Sequence, residues 1–177
     1  MTHILTNNSD MEILDLVDQH DCVIGQKKRS DIYAEKLKNY RLVGAVVKND
    51  SGEFWIPRRA HNRKLLPGYL STSMGGHVES GETYEQAFAR ELKEELFLDA
   101  SQIEYRLLGK LTPHEHDACA FVMMYEISCN AIDAFDTREF CEAYWLSAQA
   151  LFDRIKQGDK CGSIMQQTLK HFYNHTS

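Results

Sequence analysis

The sequence predicts an α+β domain built as α/β/α layers, and three observations carry that prediction. An apolar run at residues 42–47 is answered across a polar turn by residues 53–59, the pattern of a hairpin. A helix with a capped start and one apolar flank occupies the middle of the chain, from about Thr83. Two further strand-like segments follow, and then two helical stretches at the C-terminal end. Strands, one central helix, more strands and terminal helices fit a sheet covered on both faces.

The elements follow in order. Glu12 to Gly25 alternates loosely through Ile13, Leu14, Leu16, Val17, Val23 and Ile24, and reads as a short hairpin. Ser30-Asp31 is a candidate N-cap for a brief helix through Lys38. Leu42–Val47, the turn Asn49-Asp50-Ser51-Gly52 and Glu53–Arg59 form the second hairpin. Residues 60–73, basic and punctuated by Pro67 and Gly68, read as an exposed loop. Thr83 with Gln86 three residues on is a capping box, and Phe88, Leu92 and Leu96 give its helix a core side. Ile103–Leu111 and Ala118–Ser128 are strand candidates, with Met123 and Met124 read as core. Ser147 is an N-cap for a helix through Gln157, and a last helix covers residues 164–173. The 177 residues make one domain, 1–177, with 1–11 flexible and 12–39 an N-terminal extension.

Composition removes several classes of function. The net charge of −6 argues against a broad nucleic-acid footprint. No apolar run approaches the roughly 20 residues that span a membrane, and the first 21 residues lack the basic and apolar regions of a signal peptide. The five cysteines are dispersed with no C-x-x-C pair, which reads as reduced thiols in a cytoplasmic protein.

The chemistry concentrates in Arg90-Glu91-Leu92-Lys93-Glu94-Glu95. At about 100° per residue, Glu91 and Glu95 project about 40° apart, and Glu94 lies about 60° to the other side of Glu91. Three carboxylates on one patch raise one another's pKa unless a cation sits among them. Mg²⁺ takes oxygen ligands from a few carboxylates plus substrate phosphates, so the patch predicts a Mg²⁺ site for a diphosphate, with Mn²⁺ a substitute. Arg58, Arg59, Arg63 and Lys64 are the nearby basic side chains that a diphosphate would need.

The segment from Gly76 to Leu98 resembles the Nudix box, G-x5-E-x7-R-E-U-x-E-E-x-G-U with U aliphatic. Gly76, Glu82, Arg90, Glu91, Leu92, Glu94, Glu95 and Leu98 fall in register, eight of the nine specified positions. Phe97 stands where the family has glycine, so either the helix runs on toward Asp99 or the following loop has another shape. The resemblance implies the Nudix fold, a mixed sheet between helices. It implies a hydrolase that uses metal-assisted water attack on phosphorus, with Glu91, Glu94, Glu95 and the Gly75 carbonyl as metal ligands. Gly76 and Glu82 are then structural support, and Arg90 pairs with Glu82 or Glu91 to fix the carboxylates. Glu91 is the preferred general base and Glu115 the alternative. Arg58, Arg59 and His77 are candidates for substrate binding. The substrate is a small-molecule diphosphate, a nucleoside diphosphate derivative, and a homodimer is compatible with the family, although no surface declares an interface.

The likeness extends over residues 12–146 to isopentenyl-diphosphate isomerases, which makes isomerase the rival activity. That family uses a cysteine in T-N-T-C-C-x-H-P, where this chain has Ser71-Thr72-Ser73-Met74-Gly75-Gly76-His77-Val78. Met74 and Gly75 occupy the cysteine pair, and a thioether has no proton to donate. The family's E-x-E-x-C matches Glu115-His116-Asp117-Ala118-Cys119, and its histidine before the first core strand falls near Tyr40 or Arg41. A catalytically silent nucleotide sensor is the third reading, and the complete acidic triplet argues against it.

Overall fold

The structure is a computed structural model that describes residues 11–175. The expectation of a flexible 1–11 segment lies outside the described residues, Met11 apart. The central strand is β3 (Arg41–Lys48), with β4 (Phe54–Arg59) after the predicted turn. β5 (Met74–His77) precedes the acidic helix α2 (Tyr84–Leu96), and β6 (Glu104–Leu111), β7 (Phe121–Ser128) and β8 (Phe140–Leu146) complete a mixed six-stranded sheet. Its order is β6-β7-β3-β4-β8, with β5 also on β3. Among the described strands β3 and β7 are the one parallel pair, from Arg41↔Phe121 to Lys48↔Ser128. The N-terminal hairpin of β1 (Ile13–Val17) and β2 (Val23–Lys28) forms a separate two-stranded sheet.

Both faces of the sheet are covered, and this is why β3 is apolar on both sides. Ala45 and Val47 pack with Phe88, Leu92 and Leu96 of α2. Val46 packs on the other face against Leu151 of α4 (Ala148–Lys156) and Met165 and Leu169 of α5 (Ser163–Tyr173). A third cluster joins Leu14 of the hairpin and Ile32 of α1 (Arg29–Ala34) to Val122 and Met124 of β7. Met124 is fully buried and Met123 packs against the core, as expected. No helix among the described residues is long and apolar enough to cross a membrane.

One departure from a simple hairpin creates the site. β3 pairs with β4 only at Val47↔Trp55 and Lys48↔Phe54, because β5 takes the same edge of β3 from Leu42 to Ala45. At the fork the buried Ser73 hydroxyl accepts from Val47 N–H at 2.7 Å and donates to the Trp55 carbonyl at 2.6 Å. It satisfies the backbone groups that the parting strands expose. Pro57, with no N–H to offer a ladder, sits on β4 beyond the fork.

Four local expectations are corrected. β2 runs three residues past Gly25, to Lys28, and passes directly into α1. The N-cap of α1 is therefore Lys28, not Ser30-Asp31, and the helix ends at Ala34 because Lys36 takes a left-handed φ of 54°. The predicted exposed loop is exposed only in its middle: Ala60 is buried at its start, and Leu70, Thr72 and Ser73 are buried as the chain enters the fork. Neither alternative for the end of α2 holds. Phe97 adopts the glycine-like left-handed conformation, φ 56°, and its N–H bonds the Leu92 carbonyl. The capping box expected at Thr83 and the N-cap expected at Ser147 do cap α2 and α4, the first with both reciprocal bonds formed.

Candidate active site

The fork opens a cavity of about 570 Å³ between β3, β5, α2 and the 59–72 segment. Glu91, Glu94 and Glu95 of α2 face into it from one side, with Gly75, Gly76 and His77 of β5 beneath them. α2 holds this position because its apolar flank is locked into the core and Thr83 fixes its first turn.

Gly76 is required by distance. A Cβ built there would stand 1.9 Å from Glu91 Oε1 and 2.0 Å from its Cδ. The Glu91 carboxylate thus rests on bare backbone. Gly75 donates its N–H to Glu95 Oε2 at 3.0 Å, and a Cβ on it would approach the Val43 carbonyl to 3.0 Å. Consecutive glycines let two carboxylates lie against one strand.

Arg90 organises the acidic side. Its Nε and Nη2 fork onto the two oxygens of Glu82, each at 2.9 Å, and its Nη1 reaches Glu91 Oε1 at 2.7 Å. Nη2 also donates to the His77 carbonyl at 2.8 Å, so the same guanidinium joins α2, β5 and the turn before the helix. Sequence left Glu82 and Glu91 as alternatives for Arg90, and it pairs with both. Bidentate charge-assisted bonds of this kind fix geometry that lysine would not.

Burial pushes the Glu91 carboxyl up to about 7; Arg90 pulls it down, while Glu94 and Glu12 add to the rise. Glu95 is also raised, by burial and then by the Glu91 charge. The three carboxylates line one cavity as the helical spacing predicts, but among the described residues no three acidic, histidine or cysteine side chains converge closely enough to form a metal cluster. Glu95 is turned to Gly75 N–H, Glu91 to Arg90, and the Glu94 side chain is 61% exposed. The donor chemistry nevertheless fits a hard divalent cation, since oxygen donors driven toward neutrality by burial and mutual repulsion are those a cation restores to the ionised form.

The remaining candidates divide sharply. Arg59 lines the cavity; its Nε donates to the Leu65 carbonyl at 3.0 Å, and among the described residues no carboxylate pairs with it. Burial, and Arg63 beside it, hold its pKa below the usual value against the pull of Glu139 and Glu95. Arg58 turns away. It is bound by Glu142, Asp159 and the Gly68 carbonyl and does not line the cavity. The two arginines straddle a register shift in the β4–β8 pairing, and alternation sends them to opposite sides. Glu115 lies on the short helix α3 (Pro113–His116), 65% exposed and outside the cavity lining. His77 is on a strand, not a loop. Burial, with Arg29 and Arg90 near, lowers its imidazole to about 3, so it is neutral; Nε2 lies 2.9 Å from Tyr33 Oη, and the ring stacks on Tyr40.

Sequence reasoning missed the contribution of the N-terminal extension, whose Glu12, Arg29 and Tyr33 also line the cavity. No local pattern marks them, because each reaches the site only through the docking of the hairpin and α1.

With this geometry in view, a NUDIX domain model matches residues 38–163. An uncharacterised Nudix hydrolase of Nostoc sp. is 46% identical over 164 residues, 93% of this chain and 97% of its own length. The crystal structure of a Deinococcus radiodurans protein shares the fold at a TM-score of 0.86 and 35% identity, over 92% of this chain and 99% of that one. An isopentenyl-diphosphate delta-isomerase of Corynebacterium diphtheriae is 30% identical over 95 residues, 54% of this chain and 52% of its own. The chain belongs to the Nudix hydrolase family, whose members use divalent metal ions and act on small-molecule substrates.

Proposed function

We propose that this chain hydrolyses a diphosphate linkage in a nucleoside diphosphate derivative, with Mg²⁺ as its metal and Mn²⁺ as a substitute. One observation carries the reading: the carboxylates of Glu91 and Glu95, laid on the Gly75-Gly76 backbone, share a cavity with the Arg59 guanidinium, which among the described residues forms no ion pair. Acids that gather cations and a guanidinium facing the same cavity together suit a metal-bound diphosphate.

Glu91, Glu94 and Glu95 would hold the metal, with the Gly75 carbonyl as a further donor. When bound, Mg²⁺ neutralises charge on the phosphoryl oxygens and lowers the pKa of water. Arg59 binds the phosphate oxygens from the opposite charge. Arg90 keeps Glu91 in place through its fork on Glu82. Glu91 is the general base: it lies in the cavity, whereas Glu115 is outside. Water attacks one phosphorus, its proton passes to Glu91, and the bridging P–O bond breaks with its electrons on the departing phosphate.

Two features speak against isomerisation. Met74, in the place of the isomerase cysteine, is fully buried and has no proton to give. Tyr40, near the place of a histidine ligand, is buried against His77.

The test is incubation with Mg²⁺ and a panel of nucleoside di- and triphosphates, nucleotide sugars, dinucleotide cofactors and isopentenyl diphosphate, beside Glu95→Gln. Cleavage that is lost in Glu95→Gln is the expected result. Magnesium binding with no cleavage anywhere would favour the silent sensor, and isomerised isopentenyl diphosphate would reinstate the rival enzyme.

A further inference from the structure

The NUDIX domain model begins at residue 38, so the N-terminal hairpin lies ahead of the matched residues. In this fold its first strand is joined to the short turn that leads into α2. Leu14 bridges Glu79, and Ser80 donates its N–H to the Ile13 carbonyl at 2.8 Å. Asp15 aims both carboxylate oxygens at the same turn: Oδ1 accepts from Ser80 Oγ at 2.7 Å, and Oδ2 from Gly81 N–H at 3.3 Å. Gln26 of β2 donates to Ser80 Oγ at 2.6 Å, which leaves the hydroxyl proton for Asp15. The turn closes from the Glu82 N–H to the Glu79 carbonyl at 3.0 Å, with Gly81 in its third place at a φ of 81°. Glu82 then takes the Arg90 fork, and Arg90 holds Glu91. Asp15, the turn, Glu82, Arg90 and Glu91 form one unbroken series of contacts.

Adhesion alone does not account for the carboxylate. Leu14 and Val17, 0% and 1% exposed, already fasten the hairpin by burial. Asp15 is itself buried, and a carboxylate taken out of water returns little net stability even when it is hydrogen-bonded. What two aimed oxygens supply is direction. We propose that Asp15 is a positioning residue for hydrolysis: it fixes the 79–82 turn so that Glu82 meets Arg90 where Arg90 can hold Glu91. The proposal rests on the diphosphate-hydrolase reading and extends its machinery to the N-terminal hairpin.

Asp15→Asn tests it, since an amide offers one acceptor where the carboxylate offers two, and either Ser80 Oγ or Gly81 N–H loses its bond. Ser80→Ala is the milder second variant, for use if Asp15→Asn does not fold. Asn39→Ala is the control: Asn39 Nδ2 donates to the Val17 carbonyl at 3.2 Å, so its loss loosens the hairpin away from the turn. The first readout needs no substrate. It is exchange of the Arg90 Nε–H with water, followed by NMR on the full chain labelled with nitrogen-15 and assigned by its loss in Arg90→Lys. Asp15→Asn should speed that exchange about tenfold, Ser80→Ala about threefold, and Asn39→Ala less than about twofold. The second is kinetics with Mg²⁺ and the substrate that the panel identifies. Asp15→Asn should lose about tenfold in kcat with KM within about twofold. In a Glu82→Gln background the same substitution should cost less than about twofold, because residues that act through one path are not additive.

Unchanged Arg90 exchange in Asp15→Asn and Ser80→Ala overturns the proposal. So does equal loosening by Asn39→Ala, or losses in kcat that multiply in the double variant. In those cases the hydrolase reading stands. If the native protein cleaves nothing in the panel, the hydrolase reading falls and takes the catalytic role of Asp15 with it, while the Arg90 signal separately decides whether Asp15 holds the fork.

Discussion

Replacing Gly76 by alanine tests the central claim, that a carboxylate is positioned by the absence of a side chain. The new Cβ would stand 1.9 Å from Glu91 Oε1, 2.0 Å from Cδ and 2.6 Å from Oε2. An ordinary contact is about 3.5 Å, so the carboxylate must retreat by about 1.6 Å. It cannot do so freely, because Oε1 is also bound to Arg90 Nη1 at 2.7 Å. A misplacement of about 1 Å can lower a rate about 100-fold, or about 2.7 kcal/mol of transition-state stabilisation. The fold should tolerate the change: Gly76 has no positive φ, and removing a glycine from a compatible position gains about 0.4–1 kcal/mol through the unfolded chain. The expected Gly76→Ala protein therefore melts within a few degrees of the native one and loses at least 100-fold in kcat/KM on the substrate that the panel identifies. Gly75→Ala, with 3.0 Å to the Val43 carbonyl, should be less severe in activity. If Gly76→Ala keeps more than a third of native activity, Glu91 does not act from the position described.

Two further predictions concern stability. Phe97→Gly removes a Cβ from a left-handed residue, a relief of about 1–2 kcal/mol, set against about 0.4–1 kcal/mol for the freer unfolded chain. Since Phe97 is 58% exposed and gives up little packing, a net gain of roughly 0.5–1 kcal/mol and a melting temperature raised by about 1–4 °C are expected by calorimetry; a lowered melting temperature would show that the ring packs more than its exposure implies. His77 sets an acid dependence: its folded pKa of about 3 lies below the roughly 6.5 of the unfolded chain, so between those values the unfolded state binds the extra proton. Stability is therefore unaffected by His77 above pH 6.5 and falls by about 1.4 kcal/mol per unit as pH drops toward 3. Urea unfolding of the native protein and His77→Gln at pH 7, 6, 5 and 4 should show the difference between them shrinking or reversing in favour of the variant, and parallel curves would refute a buried neutral imidazole.

What could be read in the sequence is what short-range physics encodes. The α2 helix was legible because Thr83 and Gln86 cap it and Phe88, Leu92 and Leu96 recur on one flank. The pairing of Arg90 was half legible: a guanidinium one residue from Glu91 and eight from Glu82 can reach either, and only the turn that brings Glu82 back shows that it holds both. Met74-Gly75-Gly76-His77 was not legible as a strand, since two glycines erase alternation, and its pairing with β3 is fixed by residues some 30 positions away. That hidden strand is also why the two arms of the 42–59 hairpin share only two partners. Arg58 and Arg59 looked equivalent as neighbours; a strand necessarily sends neighbours to opposite faces, and which one meets the cavity depends on a register shift made with β8. The extension poses the same difficulty at longer range. Tyr33 and His77 meet across 44 residues, and no periodicity can announce a contact of that kind. The motif thus locates the acidic side of the cavity, while the wall that Glu12, Arg29 and Tyr33 add to it depends on tertiary contacts that no local pattern encodes.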